Sequence, residues 1–463
     1  MKCVLVNLRG GVRSTGTLGC ANVFEPLGVL YLAAYLEKKT GITASVIHQL
    51  HETYDEILSL ILKENPDLLC FSVLTPTVDI SLQMAGEVKR RRPSTLVAFG
   101  GDHPSGDPKL IESPWIDFLT VGEGEEALVG IVEAVRGQCD FKTIPSTYYK
   151  ADGTTHFNFE RKIVDVRTLP RPKRQAAFLR DTRVGGLMNP FMTEQKSVAV
   201  VAATRGCPFS CLFCNNELMW QSKVRRRSPS DVADEIAELV ESFGTNTLFF
   251  ADLTFNASKR YTIDLCQEMV RRALPVHWYA MCNIGIIDEE ICSCMAEAKC
   301  GKIGFGVESF IPETMERGKG NIAKNFQFTN EKLAIVNASG IFTKAYLIIG
   351  FPWETQAMYD DLAGALKTIN AHEVRIGFYV PFPGTVGYER DHALIEEWDL
   401  TKWSSLEMPV VRNAELSRDA IMRNQRHLYD CFYHSESWRP RIRSMAERFP
   451  HLEEAVTAFL EHG

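Results

Sequence analysis

The residues most able to do chemistry in this sequence are three cysteines on one short stretch, Cys207-Pro-Phe-Ser-Cys211-Leu-Phe-Cys214, which follows Thr204-Arg205-Gly206. Thiolates are soft ligands, and three converging from one loop suit an iron–sulfur cluster or zinc. Structural zinc normally takes four protein ligands, and no second nearby Cys or His pair supplies the fourth. A cluster held by three thiolates leaves one iron open to a small molecule. The competing reading is three buried cysteines that share a spacing by coincidence. Cys292, Cys294 and Cys300, on or just after a helical stretch, fit the core habit of cysteine better than a second cluster. The basic run Lys223–Arg227 reads as a solvated loop.

The elements that must position this loop follow from periodicity. Over residues 1–140, β-rich runs at Cys3–Asn7, Thr43–Ile47, Leu68–Ser72, Thr95–Phe99 and Phe118–Val121 alternate with helical patterns near Val29–Lys39, Tyr54–Glu64, Ile80–Arg91 and Glu125–Val135. This is the pattern of an α/β domain with a parallel, doubly wound, flavodoxin-like (Rossmann-type) sheet. Such sheets bind ligands beyond the carboxyl ends of their strands. Those ends here are Leu8–Gly11, Ser72–Thr77, Gly100–Ser105 and Gly122–Glu125. Their glycines and small hydroxyl residues let backbone approach a large ligand. Residues 141–195 lose periodicity, carry Pro145, Pro170, Pro172 and Pro190, and read as a linker. From 196 to 390 strand and helix alternate again, with strands at Ser197–Ala203, Thr247–Phe250, His277–Met281, Lys302–Val307, Thr343–Ile349 and Val374–Tyr379. Six βα units are two short of a closed barrel, so a partial (β/α)6 TIM-type barrel is expected. Residues 391–463 read as a small helical C-terminal region. Its Trp398, Trp403 and Trp438 fit core positions better than a cover over the barrel mouth.

Composition bounds the rest. The 463 residues are 45% hydrophobic and 24% charged, with a net charge of −7, which gives no general attraction for nucleic acid. No apolar run is long enough to span a membrane. The N-terminus reads as a strand and a glycine turn rather than a signal peptide. Thirteen cysteines scattered through apolar segments argue for a reducing compartment, so a cytoplasmic protein is expected.

The C-x3-C-x2-C loop after a first barrel strand resembles the signature of radical S-adenosylmethionine (SAM) enzymes. The resemblance implies a [4Fe–4S] cluster on Cys207, Cys211 and Cys214, whose open iron is chelated by SAM and whose electron releases a 5′-deoxyadenosyl radical. It implies that Phe213 lies against the adenine. Asp252, in Phe249-Phe250-Ala251-Asp252, would receive the methionyl amine. Glu308 and Ser309, in Phe305-Gly306-Val307-Glu308-Ser309, would approach the ribose or amino-acid end. Ile349–Thr355 and Pro381–Thr385 match further family segments. Cys282-Asn283 departs from the pattern, standing where relatives often carry arginine.

A doubly wound domain ahead of such a barrel resembles the cobalamin-binding branch of the family. The matching residues are Pro26-Leu27-Gly28, Tyr31-Leu32-Ala33, Ser72-Val73-Leu74-Thr75, Gly100-Gly101-Asp102-His103-Pro104 and Gly122-Glu123-Gly124-Glu125. The cobalamin-binding set expected from this is Ser72, Val73, Leu74, Thr75, Thr77, Gly100, Gly101, His103, Gly122, Glu123 and Gly124. The D-x-H-x-x-G pattern of cobalamin mutases is absent, so His103 is expected as a wall residue and the segment near Leu74 at the lower face of the cobalt. The resemblance implies a C-methyltransferase acting on an unactivated carbon through methylcobalamin and the 5′-deoxyadenosyl radical. Cyclisation, ring contraction or rearrangement without methyl transfer is the alternative on the same cofactors. A small-molecule or peptide substrate and a reducing partner such as a flavodoxin are implied.

Overall fold

The computed structural model describes residues 1–9, 24–182, 197–318, 325–450, 453, 454, 456 and 457. Gly10 and Gly11 of the first strand-end segment, and Pro190 of the expected linker, lie outside the described residues.

The N-terminal half is one twisted sheet. Its strands are β1 (Cys3–Asn7), β2 (Ser45–His48), β3 (Leu68–Ser72), β4 (Leu96–Gly100), β5 (Phe118–Thr120), β6 (Thr147–Ala151) and β7 (Thr154–Phe157). The spatial order is β2-β1-β3-β4-β5-β6-β7, with β1 to β5 mutually parallel. The first five strands have the flavodoxin-like order. They are apolar on both faces because both faces are covered. Val4, Val6, Leu69 and Phe71 pack against the helices Tyr54–Glu64 and Val78–Arg91. Cys3, Leu5, Leu68 and Ala98 pack against Leu27–Thr40 and Glu125–Val135. The strands β6 and β7 are antiparallel additions inside the stretch whose periodicity suggests a linker. Their turn is Asp152-Gly153, both with positive φ (52° and 74°), the two-residue hairpin chemistry that a twisted ribbon requires.

The second sheet is wholly parallel. Its strands are β8 (Val198–Val201), then β11 (Thr247–Phe250), β12 (His277–Cys282), β13 (Cys300–Glu308), β14 (Phe342–Ile349) and β15 (Glu373–Phe378). They lie in the order β15-β14-β13-β12-β11-β8. A separate two-stranded ribbon, β9 (Thr204–Arg205) with β10 (Arg225–Arg226), follows β8. Alternate residues such as Ala199, Leu248, Trp278, Ile303, Leu347 and Ile376 point outward into the helical layer and are buried. Six strands leave two free edges, and each is covered. At β8, the Val200 N–H donates to Glu25 (2.9 Å), while Phe24 stacks on Phe249 with ring centroids 4.5 Å apart. At β15, the Ile376 N–H donates to the Tyr429 hydroxyl (2.9 Å) and Gln425 donates to the Ile376 carbonyl (2.7 Å). Both latter residues sit on the C-terminal helix Arg418–Tyr433. Trp403 and Trp438 are core residues, and Trp398 is exposed. Among the described residues no helix is long and apolar enough to cross a membrane.

At the bottom of the barrel Glu373 bonds Lys302 (2.6 Å) and Lys344 (2.5 Å), all three buried. Burial alone would raise the Glu373 carboxyl, but the two ammonium groups overcome this and hold it at about 2. A folded value below the unfolded one contributes stability above the unfolded value, and that stability is lost as pH falls toward about 2. Glu373→Gln strands two buried cations and is expected to cost about 3–5 kcal/mol in urea unfolding at pH 7. The gap between wild type and variant should narrow as pH drops below the ordinary glutamate range.

Candidate active site

The cysteine loop is the tip of the β9–β10 ribbon. Closing it requires glycine at Gly206, which has φ +91° and where a Cβ would stand 2.1 Å from the Lys223 carbonyl. Buried Asn216 fastens the loop: it accepts from the Cys207 N–H (2.9 Å) and donates to the carbonyls of Cys207 (2.8 Å) and Phe209 (3.0 Å). The Cys214 N–H donates to the Cys211 carbonyl (3.1 Å), completing the turn. All three cysteines are half-buried, and none of the described cysteines is in a disulfide. Among the described residues no three His, Cys, Asp or Glu side chains are grouped around one metal-ion position. Three thiolates on one short loop are a donor set that fits a cluster with three protein ligands.

The strand ends around the loop divide into two kinds. Ala251 lines the cavity described below. Asp252, beside it, is turned away: its carboxylate accepts from the backbone N–H groups of Thr204 (2.6 Å) and Ala203 (3.1 Å), tying β11 to the root of the cysteine loop. Burial pushes its carboxyl up to about 6. Expected as an amine ligand, Asp252 is in this geometry a positioning residue for the loop. Glu308 has the opposite character. It sits in the left-handed region (φ 63°) where the β13–β14 register shifts, and burial pushes its carboxyl up to about 8. Ser309 is buried and caps its own turn by accepting from the Ile311 N–H (3.1 Å). Phe213 is half-buried against the cluster that contains Leu212, Phe351, Tyr379 and Trp403.

A cavity of about 380 Å³ lies between the two sheets. Its walls take in Ser72, Leu74, Gly100, Gly101, Gly122, Glu123 and Gly124 from the first half, and Thr204, Arg205, Gly206 and Ala251 from the second. Gly101 has φ +106°, and a Cβ there would meet the Val73 carbonyl at 2.9 Å. The bare backbone of this wall fits a broad flat macrocycle. Four residues expected in the wall lie behind it. Val73 is fully buried and its backbone bonds Gly100 and His103. Thr77 caps the turn at Leu74 (3.0 Å), and His103 is buried with Nδ1 3.0 Å from the Thr75 hydroxyl. These four shape the wall without facing its contents. Asp102, part of the matching Gly100–Pro104 segment but not of the expected cobalamin-binding set, does face the cavity, and burial pushes its carboxyl up against the lowering effect of the Asn215 side chain.

The basic run after the cysteines is only partly solvated: Lys223 and Arg226 are exposed, whereas Arg225 and Arg227 are held in ion pairs. Arg225 donates to Glu123 (2.6 Å) and to the Val164 carbonyl (2.6 Å). Arg205 reaches Glu123 (3.0 Å) and Glu125 (2.7 Å) with its guanidinium over the Tyr31 ring. Arg227 bonds Glu235 (2.5 Å), Asp231 (2.6 Å) and the Ala202 carbonyl (3.0 Å). Arg174 joins Glu235 (2.5 Å) to Glu25. Apart from Arg227 with Asp231 and Glu235, these partners lie far apart in sequence, so only their charge sign, not their pairing, could have been read from it.

Residues 17–132 match the B12-binding domain family and residues 201–366 match the radical SAM superfamily. The chain is therefore a B12-binding radical SAM protein, of an enzyme class that uses a [4Fe–4S] cluster, SAM and cobalamin. It is 27% identical over 438 residues to an uncharacterised methyltransferase of Pyrococcus horikoshii, covering 93% of this chain and 90% of that one. It is 26% identical to the anaerobic magnesium-protoporphyrin IX monomethyl ester cyclase of Cereibacter sphaeroides, covering 90% of this chain and 68% of the other. In fold it is similar to the radical SAM methyltransferase TsrM from Kitasatospora setae, solved with cobalamin and a [4Fe–4S] cluster bound. That match has a TM-score of 0.73 at 15% identity and covers 100% of this chain and 99% of that one.

Asn216→Ala removes the fastening of the cysteine loop. We expect a loss of about 2–3 kcal/mol in loop order and less than half the wild-type iron and sulfide per chain after anaerobic reconstitution, with the rest of the chain folded by circular dichroism.

Proposed function

We infer that this chain is a cobalamin-dependent radical SAM C-methyltransferase acting on an unactivated carbon of a small biosynthetic intermediate. The observation that carries this reading is the shared cavity. Gly206, next to the first cluster cysteine, and Gly100, Gly101 and Gly122, at the strand ends of the B12-binding half, form walls of one space. When bound, the cofactors supply a radical that takes hydrogen from carbon and a methyl group to replace it. The protein contributes placement and exclusion of water.

In this reading Cys207, Cys211 and Cys214 hold the cluster, and Phe213, Ala251, Glu308 and Ser309 surround SAM. Asp252 holds the loop in register. Ser72, Leu74, Gly100, Gly101, Gly122 and Gly124, which line the cavity, would hold cobalamin. Glu123 anchors the two halves through its arginine partners. The B12-binding unit is taken to be residues 1–140, extended by the hairpin, and the radical unit 196–390. A flavodoxin-type donor supplies electrons. The likeness to the Cereibacter sphaeroides cyclase supports a second reading in which the same cofactors close a ring without methyl transfer.

Product analysis separates the two. With methyl-labelled SAM and candidate substrates, methylation yields S-adenosylhomocysteine in step with 5′-deoxyadenosine. Cyclisation yields the second without the first. Cobalamin placement has its own test at Gly28, which lines the cavity and where an added Cβ meets nothing within 4 Å. Gly28→Phe fills the space at no cost to the helix, since almost any residue suits a helix better than glycine. Cobalamin retention is expected to fall at least about tenfold, equivalent to about 1.4 kcal/mol, while iron content stays at the wild-type level.

A further inference from the structure

Beside the cavity the two halves meet at a contact made of backbone alone. The short helix Asp102–Gly106 follows β4 and is fastened to the glycine wall at two strand ends. The Ser105 hydroxyl donates to the Gly101 carbonyl (2.7 Å) and accepts from the Gly122 N–H (2.9 Å). The His103 N–H donates to the Val73 carbonyl (3.2 Å). Held in this way, the helix moves with the wall. Its last residue, Gly106, lies directly on Pro383-Gly384, beyond the end of β15. A Cβ on Gly106 would stand 1.9 Å from the Pro383 carbonyl oxygen and 2.6 Å from its carbon. A Cβ on Gly384 would stand 2.7 Å from the Gly106 Cα.

The Pro383-Gly384 turn is tied in its turn to the cysteine loop. The Thr385 N–H closes it on the Phe382 carbonyl (3.2 Å), and the Gly387 N–H donates to the carbonyl of Leu212, between Cys211 and Cys214 (2.9 Å). A Cβ on Gly384 would also meet the Leu218 side chain at 2.5 Å, and Leu218 belongs to the helix Asn216–Trp220 that follows Cys214. Bonds and contacts therefore run from the glycine wall through Ser105, Gly106 and Gly384 to the cysteine loop. The tightest point is Gly106 on Pro383-Gly384, an approach of backbone to backbone that only glycine permits. Gly384 has φ +78°, which favours glycine by itself, but Gly106 is not among the residues of positive φ. In a helix alanine is the better residue. The reason for glycine at 106 is the contact.

We propose that the Gly106–Gly384 contact is a gauge that sets how far the cobalamin wall stands from the cluster loop, and that both glycines are positioning residues for the chemistry between the two cofactors. This rests on the cofactor placement given above. A misplacement of about 1 Å can cost on the order of a hundredfold in rate, so a spacing fixed by backbone contact is a functional quantity.

The test uses the full chain, reconstituted anaerobically with iron, sulfide and cobalamin and reduced with dithionite until cluster and cobalt each carry an unpaired electron. Electron paramagnetic resonance reads the magnetic splitting between the two spins, which weakens steeply with their separation. Gly106→Ala must drive the backbones apart by about 1 Å to restore van der Waals contact. Its splitting is expected to fall below that of wild type at unchanged iron and cobalamin content. Gly384→Ala reaches the same contact from the barrel side, should shift the splitting in the same direction, and covers the case in which Gly106→Ala fails to fold. Gly364→Ala, in the helix Gln356–Leu366 with nothing within 4 Å of an added Cβ, should keep the wild-type splitting. Equal splitting in wild type and both contact variants overturns the proposal, as does the same fall in Gly364→Ala. Loss of fold or of cofactors in both contact variants also overturns it, because the contact would then serve stability alone. Failure of wild type itself to take up cluster or cobalamin would sink the cofactor placement, and the gauge with it.

Discussion

The arrangement depends on a charge-balanced layer of four carboxylates and four guanidinium groups buried between the two sheets. Glu123 and Glu125 belong to the strand ends of the B12-binding half, and Arg205 and Arg225 to the ribbon that carries the cysteine loop. Glu25, Arg174, Glu235 and Arg227 continue the layer along the barrel. Removing one member of such a layer strands a buried charge and costs several kcal/mol, whereas the intact layer is near neutral in free energy. In the observed placement of the halves every member of the layer has an oppositely charged partner. That placement is the one that brings Gly206 and the glycine wall to the same cavity.

The ribbon makes this coupling local. Arg205 is two residues before Cys207, so the residue that reads the position of the first half is almost part of the loop that would hold the cluster. Asp252 grips the same ribbon at its root through the Thr204 N–H, and Asn216 grips it at its tip. The loop is held from the barrel, from within and from the other domain. Such triple fixation suits a site in which a reactive intermediate has to meet one atom and no other.

Much of this was legible in the sequence. Tyr54–Glu64, Glu125–Val135, Leu68–Ser72 and Thr247–Phe250 begin and end where apolar period and capping residues say they should. The cysteine spacing and the glycine-rich strand ends pointed to the two cofactors before any coordinates. What stayed hidden were facts about partners. A strand-end aspartate can face a cavity or a neighbour's backbone, and nothing local distinguishes Asp252 from a ligand. Arg225 looks like a surface charge until Glu123, a hundred residues earlier, is placed against it. Val73, Thr75, Thr77 and His103 share their segments with true wall residues, and only the turn geometry decides which side each faces. The β6–β7 hairpin did carry a readable signal, Asp152-Gly153 between alternating residues, obscured by the prolines around it.

Phe24 and Glu25 precede the first helix of the B12-binding half, yet one stacks inside the barrel and the other occupies a backbone donor of its outermost strand. The two halves are thus not interchangeable cassettes. A recombinant that kept this barrel but took its corrin-binding half from a relative would have to inherit both residues. Lacking them, it would expose a raw strand edge and a hole in the barrel wall, so these halves are bound to evolve as one inheritance unit.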